Sequence, residues 1–283
     1  MRTIKRIHDA EYAPIADLIT YSPLPSRSLR QIDPFLFLNH HGPQTYKPNN
    51  NGLPFGPHPH RGMETMTFIL EGDIMHKDSG GHESVINAGG AQYMTAGRGL
   101  IHAEVSSSKF KKNGGPLEIL QLWLNLPARL KMTDPYYLGL QREEIPSIPE
   151  DEGRVTINLV SGEWNSRKGA FDTQTEVFLS TIDFTPESTL TVQPPEDHNV
   201  FFYVIRGELT VNGESAKARQ LVEFNNDGEA LFIESPTDSV LLLGHARPFN
   251  EPVVAQGPFV MNTEAEIREA YRDYQMGKFG TWH

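Results

Sequence analysis

Along most of the chain, apolar residues come in short runs or strict alternation, interrupted every few positions by Gly, Pro, Asn or Asp. "TMTFILEGDIMHKDS", "LEILQLWLNLP", "RVTINLVSGEW", "EVFLSTIDF", "STLTVQPP", "NVFFYVIRGELTVNGES" and "ALFIES" all have this form. A period of two puts neighbouring side chains on opposite faces of a strand. These runs therefore predict brief strands and tight turns, a sandwich or barrel rather than βαβ units. Helical periodicity is confined mainly to the end, in "NTEAEIREAYRDYQMGKFG". There Asn262 or Thr263 serves as N-cap and Glu264 and Glu266 favour the helix dipole. Ile267, Ala270, Tyr271 and Tyr274 share a face, and Gly277 stops the helix. One C-terminal amphipathic helix docked on a barrel is expected.

The strand pattern repeats. "FILEGDIMHKDSGG" and "YVIRGELTVNGES" each give an apolar run, a charged residue and Gly, an acidic and an aliphatic residue, then a turn. Superposing Gly72 on Gly207 gives an offset of 135 residues, and a duplicated barrel accounts for the length of 283 residues. Between the halves, "LPARLKMTDPYYLGLQREEIPSIPEDEG" is rich in Pro and charge and lacks a sustained strand pattern. The boundary is placed near Thr133 to Pro135, giving domains 1–134 and 135–283, with the helix in the second.

Composition narrows the chemistry. The formal charge is -11, and no Lys/Arg block exceeds "KFKK". Direct nucleic-acid binding is disfavoured, because its affinity comes mostly from clustered cations. The absence of cysteine excludes disulfides, thiolate ligands and a Cys nucleophile, so any metal is held by nitrogen and oxygen. No signal-peptide stretch follows the basic residues of "MRTIKRIHDAEYAP", and no run approaches the roughly 18 to 20 apolar residues of a membrane span. The expectation is a monomeric protein of the cytoplasm, or also of the nucleus in a eukaryotic source, without membrane contact.

Two histidine pairs then carry the argument. In "GPHPHRGMET", His58 and His60 stand two residues apart, which on a strand is one face and roughly 6.6 Å. Pro57 and Pro59 stiffen the extended chain, and proline is tolerated at a strand's first residues or on an edge. "GRGLIHAEVS" offers His102 and Glu104 with the same spacing. On facing strands the two pairs bring three imidazoles and one carboxylate to one ion, a donor set for Fe, Mn, Ni, Cu or Zn rather than Mg or Ca. Glu64 keeps the strand parity of His60 and is a further candidate: ligand, acceptor for an imidazole N–H, or proton acceptor. Of the adjacent His40 and His41, at most one shares the site. His76, His82, His198, His245 and His283 lack a partnered spacing and are read as non-ligands.

Two such motifs on a duplicated barrel resemble the cupins, whose first motif is G-x5-H-x-H-x3-E followed by Gly. Gly52, His58, His60, Glu64 and Gly72 match it with one extra residue before the last glycine, whereas Ala96 to Gly99 precede His102 where the general pattern has a proline. Within the cupins the chain is similar to the pirins, through "DPFLFLNHHGP", "HPHRGMET", "LEGDIMHKDSGGHE", "YMTAGRGLIHAE", "LQLWLNLPARLKMTDPYY" and "FVMNTEAEIREAYRDY" with "GKFG", in order from residue 33 to 280. The resemblance implies an all-β fold of two tandem cupin (double-stranded β-helix, jelly-roll) barrels with a C-terminal α-helix. It implies one divalent transition metal in the N-terminal barrel, Fe(2+) first, with Mn, Ni, Cu, Co or Zn as alternatives, on His58, His60, His102 and Glu104. Glu64 is then left either to accept an imidazole N–H or for proton transfer. The offset sets Thr237 and Ser239 near the places of His102 and Glu104, so the second barrel is expected to be metal-free. Family members resemble quercetin 2,3-dioxygenases, which implies a flavonol and O2 as substrates, Glu64 or Glu104 as proton acceptor, and Phe55, Met75 and Phe37 at the entrance. Other pirins resemble regulators, which implies as the alternative a protein partner that responds to the metal's redox state.

Overall fold

The computed structural model describes residues 1–282; His283, read above as a non-ligand, lies outside the described residues. The alternating runs form antiparallel strands that gather into two units of the same plan, each with one seven-stranded and one four-stranded sheet. In the first unit the small sheet runs Phe55–His60, Leu100–Val105, Asp73–Asp78, Glu83–Asn87. In the second it runs Ser188–Val192, Leu231–Ser235, Glu208–Val211, Glu214–Lys217, with the same chain connections. Gly72 and Gly207 occupy the same corner of the two units at φ of 84° and 82°. A side chain there would be strained by the left-handed backbone. It would also meet the Pro116 carbonyl at 2.8 Å or the Ser239 hydroxyl at 2.2 Å.

The two units are not the contiguous halves 1–134 and 135–283. The first consists of residues 12–21, 35–142 and 249–283, and the second of 1–11, 22–34 and 143–248. Pairing remote in sequence explains the difference. Ile4–Asp9 joins the second unit as an edge strand on Gln220–Phe224, and Arg2, just before it in the chain, is buried. Its guanidinium donates to the carbonyls of Pro195, His198 and Gly228 and to the Asn226 side chain, the compensation a buried cation requires.

The C-terminal helix spans Glu264–Gln275, begins with a capping box of Thr263 and Glu266, and belongs to the first unit. Ile267 and Ala270 pack on Phe259, Met261 and Phe279, while Tyr274 is exposed. A fully buried side chain of the size of Ile267 stabilises by about 1.5–3 kcal/mol relative to exposure, so short elements hold through tertiary contact.

Candidate metal centre

Phe55–His60 is the edge strand of the small sheet, where a proline's missing N–H leaves no ladder bond unmade. Its partner Leu100–Val105 runs antiparallel with His102 opposite His58 and Leu100 opposite His60. Ligand nitrogens of His58, His60 and His102 lie within 4.8 Å of one another. The Nε2 atoms of His58 and His102 are 3.0 Å apart. Two nitrogens each about 2.1 Å from one ion, at right angles, are separated by about 3.0 Å, so this spacing fits a shared transition metal.

The surroundings fix which nitrogens face inward. His58 Nδ1 lies 2.7 Å from the Gly56 carbonyl and His60 Nδ1 lies 3.1 Å from the Pro258 carbonyl. A carbonyl only accepts, so each Nδ1 carries the proton and Nε2 is the atom each ring has to offer a metal, the arrangement that supports a metal-bound histidine. Burial pushes His60 down to about 3, assisted by His58, and burial with the neighbouring histidines drives His102 well below its ordinary range. The buried imidazoles are therefore neutral near pH 7, as ligands must be.

Glu104 faces the same lumen, one step along from His102, paired across the sheet with Phe55 and His76. Among the described residues the tight group of ligand atoms contains the three imidazoles and not this carboxylate. The carboxylate instead accepts hydrogen bonds from Thr67 Oγ1 at 3.0 Å, Gln121 Nε2 at 3.2 Å and Gln92 Nε2. Those donors come from adjacent strands of the large sheet, where Gln92, Thr67 and Gln121 stand in cross-strand register. A carboxylate so held is a fixed acceptor on the lumen wall beside the histidines.

Glu64 is on the wrong face for the part expected of it. It pairs with Thr95 and Leu124, whereas the lumen residues Thr65 and Thr67 pair with Met94 and Trp123, and with Gln92 and Gln121. It is fully buried, and the hydroxyls of Tyr93 and Thr95 donate to it. Strand parity does not run from His60 to Glu64 because the chain turns at Gly62, with φ of 79°. Met75 likewise departs from expectation: it pairs with Val105 and Val85, on the face opposite His76 and Ile74, and does not face the lumen. Phe55 and Phe37 keep lumen-side positions, with Phe55 5.1 Å from the His41 ring and Phe37 stacked at 4.6 Å on Trp123. Trp123 in turn lies edge-on to His60 at 5.1 Å.

The remaining histidines divide by environment. His41 bonds Thr20 through Nδ1 at 2.9 Å, and His40 bonds Glu118 through Nε2 at 2.9 Å on the other face. His76 stacks on Tyr137 at 3.7 Å, bonds Asp78 at 3.0 Å and lies 5.5 Å from the His102 ring. In the second unit His198 and His245 meet at 3.0 Å between their Nδ1 atoms. Trp123, Tyr137 and the lumen amides were missed in the sequence. Alternation in "LEILQLWLN" marks Gln121 and Trp123 as one face, and that face is the signal that would have found them.

Two antiparallel barrels, one lined by converging imidazoles and a buried carboxylate, define a bicupin with a candidate metal centre in its first unit. The chain belongs to the pirin family: the family model described as Pirin matches residues 18–124, and the Pirin C-terminal cupin domain matches residues 179–280. A Pseudomonas aeruginosa relative provisionally named quercetin 2,3-dioxygenase is 33% identical over 266 residues, covering 94% of this chain and 92% of its own. A pirin-like protein of Solanum lycopersicum is 35% identical over 256 residues, covering 89% of this chain and 84% of its own. The crystal structure of quercetin 2,3-dioxygenase from Acinetobacter baumannii superposes with a TM-score of 0.93 at 33% identity, covering 99% of each chain. Among the described residues no helix is long and apolar enough to cross a membrane.

Proposed function

We propose that the protein is a metal-dependent dioxygenase that opens flavonols of the quercetin type with O2, and that His58, His60, His102 and Glu104 hold its divalent metal. The observation that carries the reading is the meeting of three imidazoles beside a buried carboxylate in a lumen with both amide and aromatic walls. It is supported by the likeness to the Acinetobacter baumannii quercetin 2,3-dioxygenase over nearly the whole chain. A divalent transition metal held there, Fe(2+) first with Mn, Ni, Cu, Co or Zn as alternatives, would supply Lewis-acid polarisation of the flavonol oxygens and, for the redox-active ions, electron exchange with O2.

The chain's own groups do the rest. Trp123, Phe37 and Phe55 offer the apolar surface on which a flat ring system stacks. Gln92 and Gln121 hold Glu104 in place, and Glu104 Oε2 is the acceptor for the flavonol 3-hydroxyl proton, a part that Glu64 does not share from the opposite face. The reaction balances with one O2 consumed and one carbon monoxide released per flavonol, both oxygen atoms entering the products.

The test is to load the protein anaerobically with Fe, Mn, Ni, Cu or Co in turn, then admit O2 and follow quercetin loss and carbon monoxide. Turnover in at least one metal form, lost in His60→Ala and Glu104→Ala, is expected. Wild-type protein that takes up metal and turns over no flavonol would overturn the enzymatic reading. The centre would then pass to a redox-responsive regulator of a protein partner.

A further inference from the structure

Residues 249–282 hold both strands that carry the histidines. On the first, the Pro258 carbonyl accepts the His60 Nδ1 proton at 3.1 Å and Val260 N donates to the Arg61 carbonyl at 3.0 Å. Arg61, next to His60 and only 3% exposed, bonds the Arg98 carbonyl through Nε at 2.6 Å and Asp273 Oδ2 through NH1 at 2.9 Å. Its guanidinium also lies over the Phe279 ring at 4.7 Å. On the second strand, Ser79 Oγ accepts from Ile101 N at 3.0 Å, next to His102, and donates to the Phe279 carbonyl at 2.6 Å. Lys131, itself buried, ties the turn after His60 to this segment by donating to the carbonyls of Gly62 and Val260, both at 2.9 Å.

Asp273 sits on the same stripe of the helix as Ile267 and Ala270, where burial favours an apolar residue. A carboxylate there is uncompensated unless it meets a cation, and it meets Arg61 and Lys278, the latter at 2.7 Å. Helix docking is thus tied to one arginine, and that arginine is the neighbour of a candidate ligand.

We infer that the C-terminal segment is a clasp that sets the tautomer and direction of His60 and the spacing of the His60 and His102 strands, and thereby controls how long the centre retains its metal. The inference rests on the proposed metal centre and adds Arg61, Asp273 and Phe279 as positioning residues, acting through His60 and Ile101 rather than by touching substrate. An imidazole whose outer N–H loses its acceptor swings and changes tautomer, and losses of this kind weaken metal binding by about 10–100-fold.

The experiment uses Co(2+) as probe in the full-length protein. Its ligand-field absorption reports the site's geometry, and its loss to excess chelator gives the dissociation rate. Asp273→Asn is expected to raise that rate about 10–100-fold and to shift the absorption band. Leu243→Ala, a core truncation in the other unit, should lower thermal stability while leaving both readouts at wild-type values. Should Asp273→Asn fail to fold, Phe279→Leu removes the ring under Arg61 but keeps an apolar plug, and a smaller change in the same direction is expected. Wild-type rate and spectrum in a folded Asp273→Asn or Phe279→Leu protein would overturn the clasp. A wild-type protein that binds no Co(2+) would instead overturn the metal centre on which it rests.

Discussion

In the first unit His58 faces His102 across neighbouring antiparallel strands; in the second, strands at the same places in the same sheet order set Leu190 opposite Ile233. The rest of the two interiors follows suit. The second unit fills most of its space with an apolar cluster drawn from both sheets, including Val200, Phe202, Leu209 and Leu243, and its His198–His245 pair packs against Phe178 of that cluster. In the first, the apolar residues among those described divide into a cluster around Ile69, Ile74 and Ile119, another around Met63, Met94 and Leu100, and a third under the C-terminal helix around Phe259, Ile267 and Phe279. The imidazoles, Glu104 and the amides lie on the lumen face alongside them. One backbone plan therefore supports two interiors. A dry one maximises the burial that stabilises a barrel. A polar one gives up part of that stabilisation and must satisfy each buried group with a partner. The site is therefore a property of side chains grafted on a fold that does not itself require them.

The largest effect is expected from giving the first lumen the apolar side chains of the second. His102→Leu should reduce bound metal from near one per chain to near zero and lower flavonol turnover by at least about 100-fold. The metal-free variant should unfold no more readily than metal-free wild type, because a buried imidazole whose Nδ1 has no partner is replaced by an apolar group. Elemental analysis, the quercetin assay and thermal melts of the stripped proteins check the three parts. The reverse change, Ile233→His, puts a polar ring into the apolar cluster without a partner. It should cost about 2–4 kcal/mol, read as a fall in urea midpoint, and create no metal site, because its cross-strand neighbour is Leu190.

Acid should act on both units. His41 in the first and His245 in the second are each pushed down to about 3, by burial first and then by His40 and His198 respectively. Their folded values lie below the ordinary 6.5, so it is the unfolded chain that takes up protons first as pH falls. The stability these groups contribute is intact above about pH 6.5 and is lost between there and pH 3. The slope is about 1.4 kcal/mol per pH unit for each histidine. Melts of metal-free protein from pH 7.5 to 4 should show the decline, and His245→Leu should flatten it by one histidine's share. A decline unchanged in that variant would mean that the histidine titrates alike in both states.

Much of this arrangement was legible in the chain because it depends on local periodicity. Strand parity is enough to put His58 with His60 and His102 with Glu104, and the prolines pointed to the edge position that Phe55–His60 occupies. The C-terminal helix and its cap could likewise be read from adjacent residues. What escaped depends on pairing remote in sequence. The unit boundaries follow from Ile4–Asp9 pairing with Gln220–Phe224 and from residues 249–283 joining the first unit, neither of which leaves a local trace. The offset of 135 residues matched the two glycines but set Thr237 and Ser239 beside His102 and Glu104. The strand that holds the corresponding sheet position is Leu231–Ser235. The hairpin after the glycine explains the slip: its strands are six and five residues long in the first unit and four each in the second. Trp123, Gln92 and Gln121 meet the site from the opposing sheet, and no spacing within one segment reports a neighbour there.

The mildest change sharpens the contrast within the first barrel, between the two faces of one strand. Thr67 faces the lumen and donates to Glu104, while Glu64, three residues earlier, faces away and accepts from Tyr93 and Thr95. Glu64→Gln keeps an oxygen for those hydroxyls but removes the carboxylate. If Glu64 served as ligand or proton acceptor, metal content or turnover would fall by orders of magnitude, as for Glu104→Gln. From the far face it should do neither: bound metal should stay at the wild-type level, kcat/KM within about threefold, and only the melting temperature should drop, by a few degrees for the roughly 1 kcal/mol lost when a charged acceptor becomes neutral. Measured side by side, the two glutamate variants separate the carboxylate that shares a motif with the histidines from the one that shares a lumen with them.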